Sequence, residues 1–205
     1  YSNDKINHNE PGKLKKEFEI EPYGNIILSD FTLLNQIGQG IYGKTYSTQW
    51  IKNKKKYALK KESLHSIDDV NSRKEKLKMI NDVIKNTGTD GIIKIYGDLC
   101  IPMENKYIYY SLMELGDIDW EKELKRRGDI PIKLYYTEEE LKDIISQLVH
   151  IFALLQKQHL THRDIKPQNI LIINGKYKIS DFGESRKLMR LGVVVQRVRG
   201  TELYM

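Results

Sequence analysis

The run His162-Arg163-Asp164-Ile165-Lys166-Pro167-Gln168-Asn169 is followed closely by Asp181-Phe182-Gly183. Together they supply an Asp, a Lys, an Asn and a second Asp, a set suited to moving a phosphoryl group onto a hydroxyl. One carboxylate must orient the attacking hydroxyl, and a cation must balance the charge that gathers on the moving phosphate. An amide oxygen and a second carboxylate, both hard donors, suit Mg²⁺ held against a triphosphate. This logic points to Asp164 and Lys166 as catalytic groups, and to Asn169 and Asp181 as metal ligands.

The upstream half tests the idea independently. Gly38-Gln39-Gly40-Ile41-Tyr42-Gly43 has the spacing GxGxxG, which alone also fits dinucleotide turns that open a helix. Here Lys44-Thr45-Tyr46-Ser47-Thr48-Gln49-Trp50 follows, rich in β-formers, so the glycines join two strands. Lacking Cβ atoms, they let backbone close over phosphates. In Lys56-Tyr57-Ala58-Leu59-Lys60-Lys61, strand alternation puts Ala58 and Lys60 on one face and Leu59 and Lys61 on the other. The small Ala58 suits the roof of a base, which selects Lys60 over Lys61 to reach the phosphates.

These motifs, in this order and spacing, resemble the eukaryotic protein kinase superfamily, and Lys166 before Pro167 resembles its serine/threonine type. Two short stretches, Met113–Trp120 and Ile172–Ile179, bear a weaker similarity to monopolar-spindle checkpoint kinases. The resemblance implies an α+β, bilobal fold: a small lobe of antiparallel sheet plus helix, and a partial, mainly helical large lobe. Residues 1–25 read as a polar, flexible lead-in, 26–113 as the small lobe, 114–116 as the hinge and 117–205 as part of the large lobe. Gly200-Thr201-Glu202-Leu203-Tyr204-Met205 resembles the stretch just before the family's APE motif, so the chain is expected to be part of a longer domain and, alone, to fall short of activity.

The implied activity is transfer of the γ-phosphate of Mg-ATP to Ser or Thr hydroxyls of proteins, with ATP and Mg²⁺ as cofactors. The implied nucleotide contacts are Ile37, Gly38, Gly40, Gly43, Thr45 (where Val is usual), Ala58, Lys60, Met113 at the gate, Glu114 and Leu115 in the hinge, and Leu171 beneath the adenine. Asp119 suits either the ribose hydroxyls or the N-terminus of a helix. The second function class is a non-catalytic, pseudokinase-like nucleotide-binding or scaffold module.

Three elements must position these groups. Leu141, Ile144, Ile145, Leu148, Ile151, Phe152 and Leu155 recur at spacings of three and four, predicting a core-facing helix over 138–158 that delivers the chain to His162. Ile92–Tyr96 and Tyr107–Met113 read as strands. A helix capped by Asp68 runs through Val70–Ile80, and the family requires on it a Glu to pair with Lys60. Glu75 is the Glu available, but Lys78, Met79 and Asp82 follow it at the offsets where apolar residues belong. The pattern fits better from Lys76, which precedes Met79, Ile80 and Val83. Glu75 is the expected partner of Lys60 despite this mismatch.

Composition agrees with a globular protein: 40% hydrophobic, 30% charged, and no apolar run near the length of a membrane span. The single cysteine, Cys100, excludes an internal disulfide and suits a reducing, intracellular compartment, cytoplasmic or nuclear. The net charge of +6 is not a nucleic-acid signal, because Lys52 and Lys54-Lys55-Lys56 read as an exposed turn and no aromatic-interleaved basic stripe accompanies them. Arg186, Lys187, Arg190, Arg197 and Arg199 concentrate charge in the segment after Gly183, where they could favour acidic partners. Between Arg186 and Gly200 there is no Ser, Thr or Tyr.

Overall fold

The computed structural model describes residues 17–20, 24–40, 43–128 and 135–188. The elements mix α and β, and the chain divides into two compact units: residues 1–70 with 96–113, and 71–95 with 114–205. Residues 71–95, expected with the small lobe, cluster with the second unit. Within the expected lead-in, β1 (Glu17–Ile20) pairs antiparallel with β2 (Gly24–Ile27), so this part is a strand pair rather than unstructured chain.

The first unit is built on a five-stranded sheet. Its order is β3 (Phe31–Gln39), β4 (Gly43–Trp50), β5 (Lys56–Leu64), β7 (Tyr107–Met113) and β6 (Ile95–Pro102). The β3–β4, β4–β5 and β5–β7 pairs are antiparallel. Alternation along the strands sends Tyr57 and Leu59 to one face, where Phe31, Trp50, Leu99, Ile108, Tyr110 and Leu112 join them in a buried cluster. Each such side chain, fully buried, is worth about 1.5–3 kcal/mol, so this face holds the sheet together. Lys61 follows the same face, its Nζ 5.8 Å from the Tyr110 ring. The β4–β5 turn is exposed, and Lys54 adopts φ 62° while its N–H bonds the Trp50 carbonyl. It is the solvated basic turn expected from Lys52 and Lys54–Lys56.

In the second unit, α1 (Ile67–Thr87, its first turn in unit 1) starts at Ser66, whose Oγ accepts from the Asp69 N–H at 3.1 Å. Asp68, expected as the cap, lies inside the helix. Gly88, at φ 64°, closes the other end with its N–H on the Ile84 carbonyl. The remaining elements are β8 (Ile118–Asp119), α2 (Trp120–Gly128), α3 (Glu138–Lys157), β9 (Leu160–Thr161), β10 (Ile170–Ile173), β11 (Lys176–Ile179) and β12 (Arg186–Lys187). Strands pair in the orders β11–β10–β8 and β12–β9. Ile92, expected inside a strand, makes an isolated parallel bridge to Ile179, and β6 begins only at Ile95.

Thr137 and Glu140 form a reciprocal capping box that fixes where α3 starts. Ile144, Leu148, Ile151 and Leu155 of α3 pack with Ile80, Val83, Ile92, Leu160, Ile170, Tyr177, Ile179 and Phe182. The contact is close enough that a Cβ on Gly91 would fall 2.3 Å from Ile151 Cγ1. The expected core stripe is wider than the buried one: Leu141 and Ile145 are 41% and 58% exposed. The described elements cover only the half of the stripe that bears Ile144, Leu148, Ile151 and Leu155.

Candidate active site

In the first unit, the β3–β4 hairpin carries the glycines. Gly38 pairs with Thr45, and the Gly40 N–H bonds the Gly43 carbonyl at 2.9 Å. The three glycines differ in what demands them. A Cβ on Gly43 would lie 2.0 Å from the Lys61 carbonyl oxygen and 2.9 Å from Glu62 Cα, so packing against β5 requires glycine there. Among the described residues, a Cβ on Gly40 would meet nothing within 4 Å, and one on Gly38 would meet Thr45 only at ordinary contact. Ile37 is exposed on the same strand.

Strand register gathers the other candidates of this unit. Lys60 lies between Thr45 on β4 and Ser111 on β7, and Ala58 between Ser47 and Met113. Ala58 is buried, as expected of a position meant to be small. Lys60 Nζ is 3.6 Å from Glu62 Oε1, two residues along on the same face.

In the second unit, the loop after β9 is locked from below. His162 is buried; its Nε2 donates to the Ser180 carbonyl at 2.9 Å, so Nδ1 is the acceptor for the Asp164 N–H at 3.3 Å. Burial depresses the His162 pKa, keeping this tautomer neutral. Its ring stacks edge-on with Phe182 at 4.7 Å. Both rings are thus engaged in packing contacts. Asp164 is then gripped from two sides. Lys166 Nζ is 2.8 Å from its Oδ2, and Asn169 Nδ2 donates to the same oxygen at 2.9 Å and to the Asp164 carbonyl at 2.8 Å.

The same network brings the metal candidates near each other. The Ser180 N–H and Oγ both bond the Asn169 carbonyl, at 2.8 and 3.1 Å, and Asp181 follows directly. Asp181 sits at φ 53°, a left-handed conformation tolerated by Asp, and accepts from the Gly183 N–H. Among the described residues no group of three His, Cys, Asp or Glu is placed to hold a metal. An amide oxygen and one carboxylate nevertheless fit Mg²⁺, which keeps waters and phosphate oxygens for its other positions.

The hinge is anchored through Glu114. Its N–H bonds the Lys94 carbonyl at 2.9 Å, and its carboxylate takes Lys178 Nζ at 2.9 and 3.1 Å. Burial works against the Lys178 charge, but the hydrogen bonds it donates to Asp90 and Glu114 outweigh it, and the lysine pKa stands above its ordinary value. Leu115 is half-buried beside it. At Gly116 a Cβ would come within 3.1 Å of Leu171 side-chain carbons, so the hinge rests on the residue expected beneath the adenine. Of the two roles open to Asp119, helix capping is visible: Oδ1 accepts from the Lys122 N–H at 2.9 Å.

A family model for the protein kinase domain matches residues 31–205. The chain belongs to the protein kinase family. It is 32% identical to an Aurora kinase of Schizosaccharomyces pombe over 76% of this chain and 41% of that protein. Similarity to the serine/threonine-protein kinase cds1 of the same yeast is 28% over 86% and 37% of the two chains. Mitogen-activated protein kinase kinase 10 of Arabidopsis thaliana is 30% identical over 78% and 47%. The chain thus spans less than half the length of these relatives.

Against the family pattern, α1 is the element that departs. Glu75, the expected Lys60 partner, is exposed. The inward positions belong to Arg73 and Lys76, which both donate to the Gly183 carbonyl, Arg73 Nη1 at 3.1 Å. The apolar pattern that fitted from Lys76 had signalled this rotation. Lys178 and Ser180 escaped the sequence reading, because nothing in a short strand shows which neighbour a lysine or serine will meet. Glu62 did leave a signal, two residues past Lys60 on one strand face. Ile41, Tyr42, Arg190, Val193–Val195, Arg197, Arg199 and Gly200–Met205 lie outside the described residues. No described helix is long and apolar enough to cross a membrane.

Proposed function

We propose that the protein transfers the γ-phosphoryl group of ATP to Ser or Thr hydroxyls of other proteins. The observation that carries this reading is the Asp164 carboxylate, held by Lys166 and Asn169 on a loop pinned through His162. A carboxylate fixed in this way is oriented before substrate arrives, and orientation is most of what phosphoryl transfer asks of a protein.

Asp164 accepts a hydrogen bond from the substrate hydroxyl and aims its oxygen at the γ-phosphorus. The new O–P bond forms as the bond from that phosphorus to the β–γ bridging oxygen breaks, ADP departs, and the hydroxyl proton passes to Asp164 and on to water. Lys166 moves from Asp164 to the transferring phosphate as negative charge shifts there. Asn169 Oδ1 and Asp181 would hold Mg²⁺, whose charge would offset that of the phosphates. Lys60 contacts the α and β phosphates, and Ala58 and Met113 line the adenine. Glycine at Gly38 and Gly40, which packing does not demand, supports a close backbone approach to phosphates.

The test uses full-length protein with Mg²⁺, γ-labelled ATP and generic acidic and basic proteins, followed by phosphoamino-acid analysis. Labelled phosphoserine or phosphothreonine that disappears with Asp164→Asn is expected. A folded wild type that labels nothing, itself included, overturns the reading in favour of a non-catalytic module.

A further inference from the structure

A phosphate-binding lysine needs a carboxylate to hold its long side chain in one place, and β5 contains one. Ala58, Lys60 and Glu62 alternate onto the face opposite the aromatic cluster. Glu62 is 3% exposed, which is rare for a glutamate and costly without a cation beside it. Lys60 Nζ lies 3.6 Å from Glu62 Oε1, with the glutamate side chain 4% exposed and the lysine side chain 22% exposed. The lysine therefore has one end of its reach in the protein and the other open to solvent.

The surroundings of Glu62 look built to keep it there. Gly43 faces it across β4 and Tyr109 across β7. The β4 backbone passes so close at Gly43 that a side chain there would collide with the Lys61 carbonyl and Glu62 Cα. Tyr109 is fully buried, its hydroxyl donating to Asp98 Oδ2 at 2.7 Å. On α1, by contrast, Glu75 is exposed, and the side chains directed at the Asp181–Gly183 segment are the cations Arg73 and Lys76.

We propose that Glu62, and not a carboxylate on α1, is the positioning residue for Lys60. The inference rests on the reading of Lys60 as the lysine that contacts nucleotide phosphates. Because both residues lie on one strand, their separation is set by the strand repeat.

The experiment compares ADP with adenosine as ligands of the full-length protein, in EDTA so that metal contributes nothing, alongside the Mg-ATP phosphotransfer rate. ADP and adenosine differ by the phosphates that Lys60 would hold, and a merely structural defect would weaken both ligands alike. Expected for Glu62→Gln is an ADP affinity reduced by about tenfold with adenosine within about twofold, the scale of coupling between contacting residues. Glu62→Asp, which keeps the charge on a shorter stem, should fall between wild type and Gln; it carries the comparison by itself if the Gln variant does not fold. In a Lys60→Met background, Glu62→Gln should change the ADP preference no further. A wild type that does not prefer ADP over adenosine overturns the Lys60 reading and this inference with it. A wild type that prefers ADP, with that preference unchanged in Glu62→Gln and Glu62→Asp or lost instead in Glu75→Gln, overturns the inference alone.

Discussion

Asn169 spends its amide nitrogen on Asp164, at 2.8 Å to the carbonyl and 2.9 Å to Oδ2. It therefore holds the carboxylate in place, whatever its Oδ1 does for the proposed Mg²⁺. Asn169→Asp would replace that donor by a second acceptor facing Oδ2. A loss of at least about 100-fold in phosphotransfer rate is expected, about 2.7 kcal/mol of barrier. A rate measured across a Mg²⁺ titration checks it: a residue that served the metal alone would be rescued at high Mg²⁺, and this one should not be.

Asp164→Asn in the full-length protein should likewise cost about 100-fold or more in rate, the usual weight of a positioned base. Nucleotide affinity should stay near wild type, since in the proposed mechanism this carboxylate serves the substrate hydroxyl. Turnover near wild type would show that Asp164 is not the base.

Packing makes Gly43→Ala informative, because its Cβ would collide with the Lys61 carbonyl 2.0 Å away. The two strands must separate, at about 1–3 kcal/mol by analogy with overpacked cores. Gly40→Ala meets no such obstacle and should leave the denaturation midpoint within experimental error while weakening ATP. Denaturant melts and nucleotide titrations of both variants separate the two effects.

The acid side of the stability profile should be shaped by Glu123 in α2. Hydrogen bonds from Arg126, and then from Arg127, hold its carboxyl at about 2, below the ordinary 4.5. A depressed carboxylate contributes stability that is complete above pH 4.5 and lost as pH falls toward 2. Melting temperature should drop through that window, and Glu123→Gln should flatten the drop while lowering stability near neutrality.

Arg163, beside Asp164, resembles the arginine that in many kinases answers an activation-loop phosphate, yet no Ser, Thr or Tyr lies between Arg186 and Gly200. Activity is expected to survive phosphatase treatment of the purified, active full-length protein, with dephosphorylation confirmed by mass. A tenfold fall mapping to a residue between Asp181 and Thr201 would contradict this.

Local order explains what was legible in the chain. The proposed catalytic groups sit close together in sequence, so charge logic and the family resemblance together pointed to Asp164, Lys166, Asn169 and Asp181. Strand alternation likewise separated Lys60 from Lys61, and the structure sends Lys61 to the aromatic face with Tyr110. What rotation and burial decide was not legible. Residues 71–78 of α1 are polar almost all round, so only the apolar offsets beyond them, at Met79, Ile80 and Val83, pointed to Lys76 over Glu75 as the inward residue. The choice came from packing of Ile80 and Val83 into the core. Leu141 and Ile145 belong to the apolar stripe of α3 but stay exposed, because a stripe says which face is sticky and not how far a neighbour extends over it. Glu62 was visible as a carboxylate two residues from Lys60; only the folded structure shows that it is 3% exposed. Sequence carries the identity and face of each group, whereas burial depends on segments far away along the chain, and tertiary structure alone brings them together.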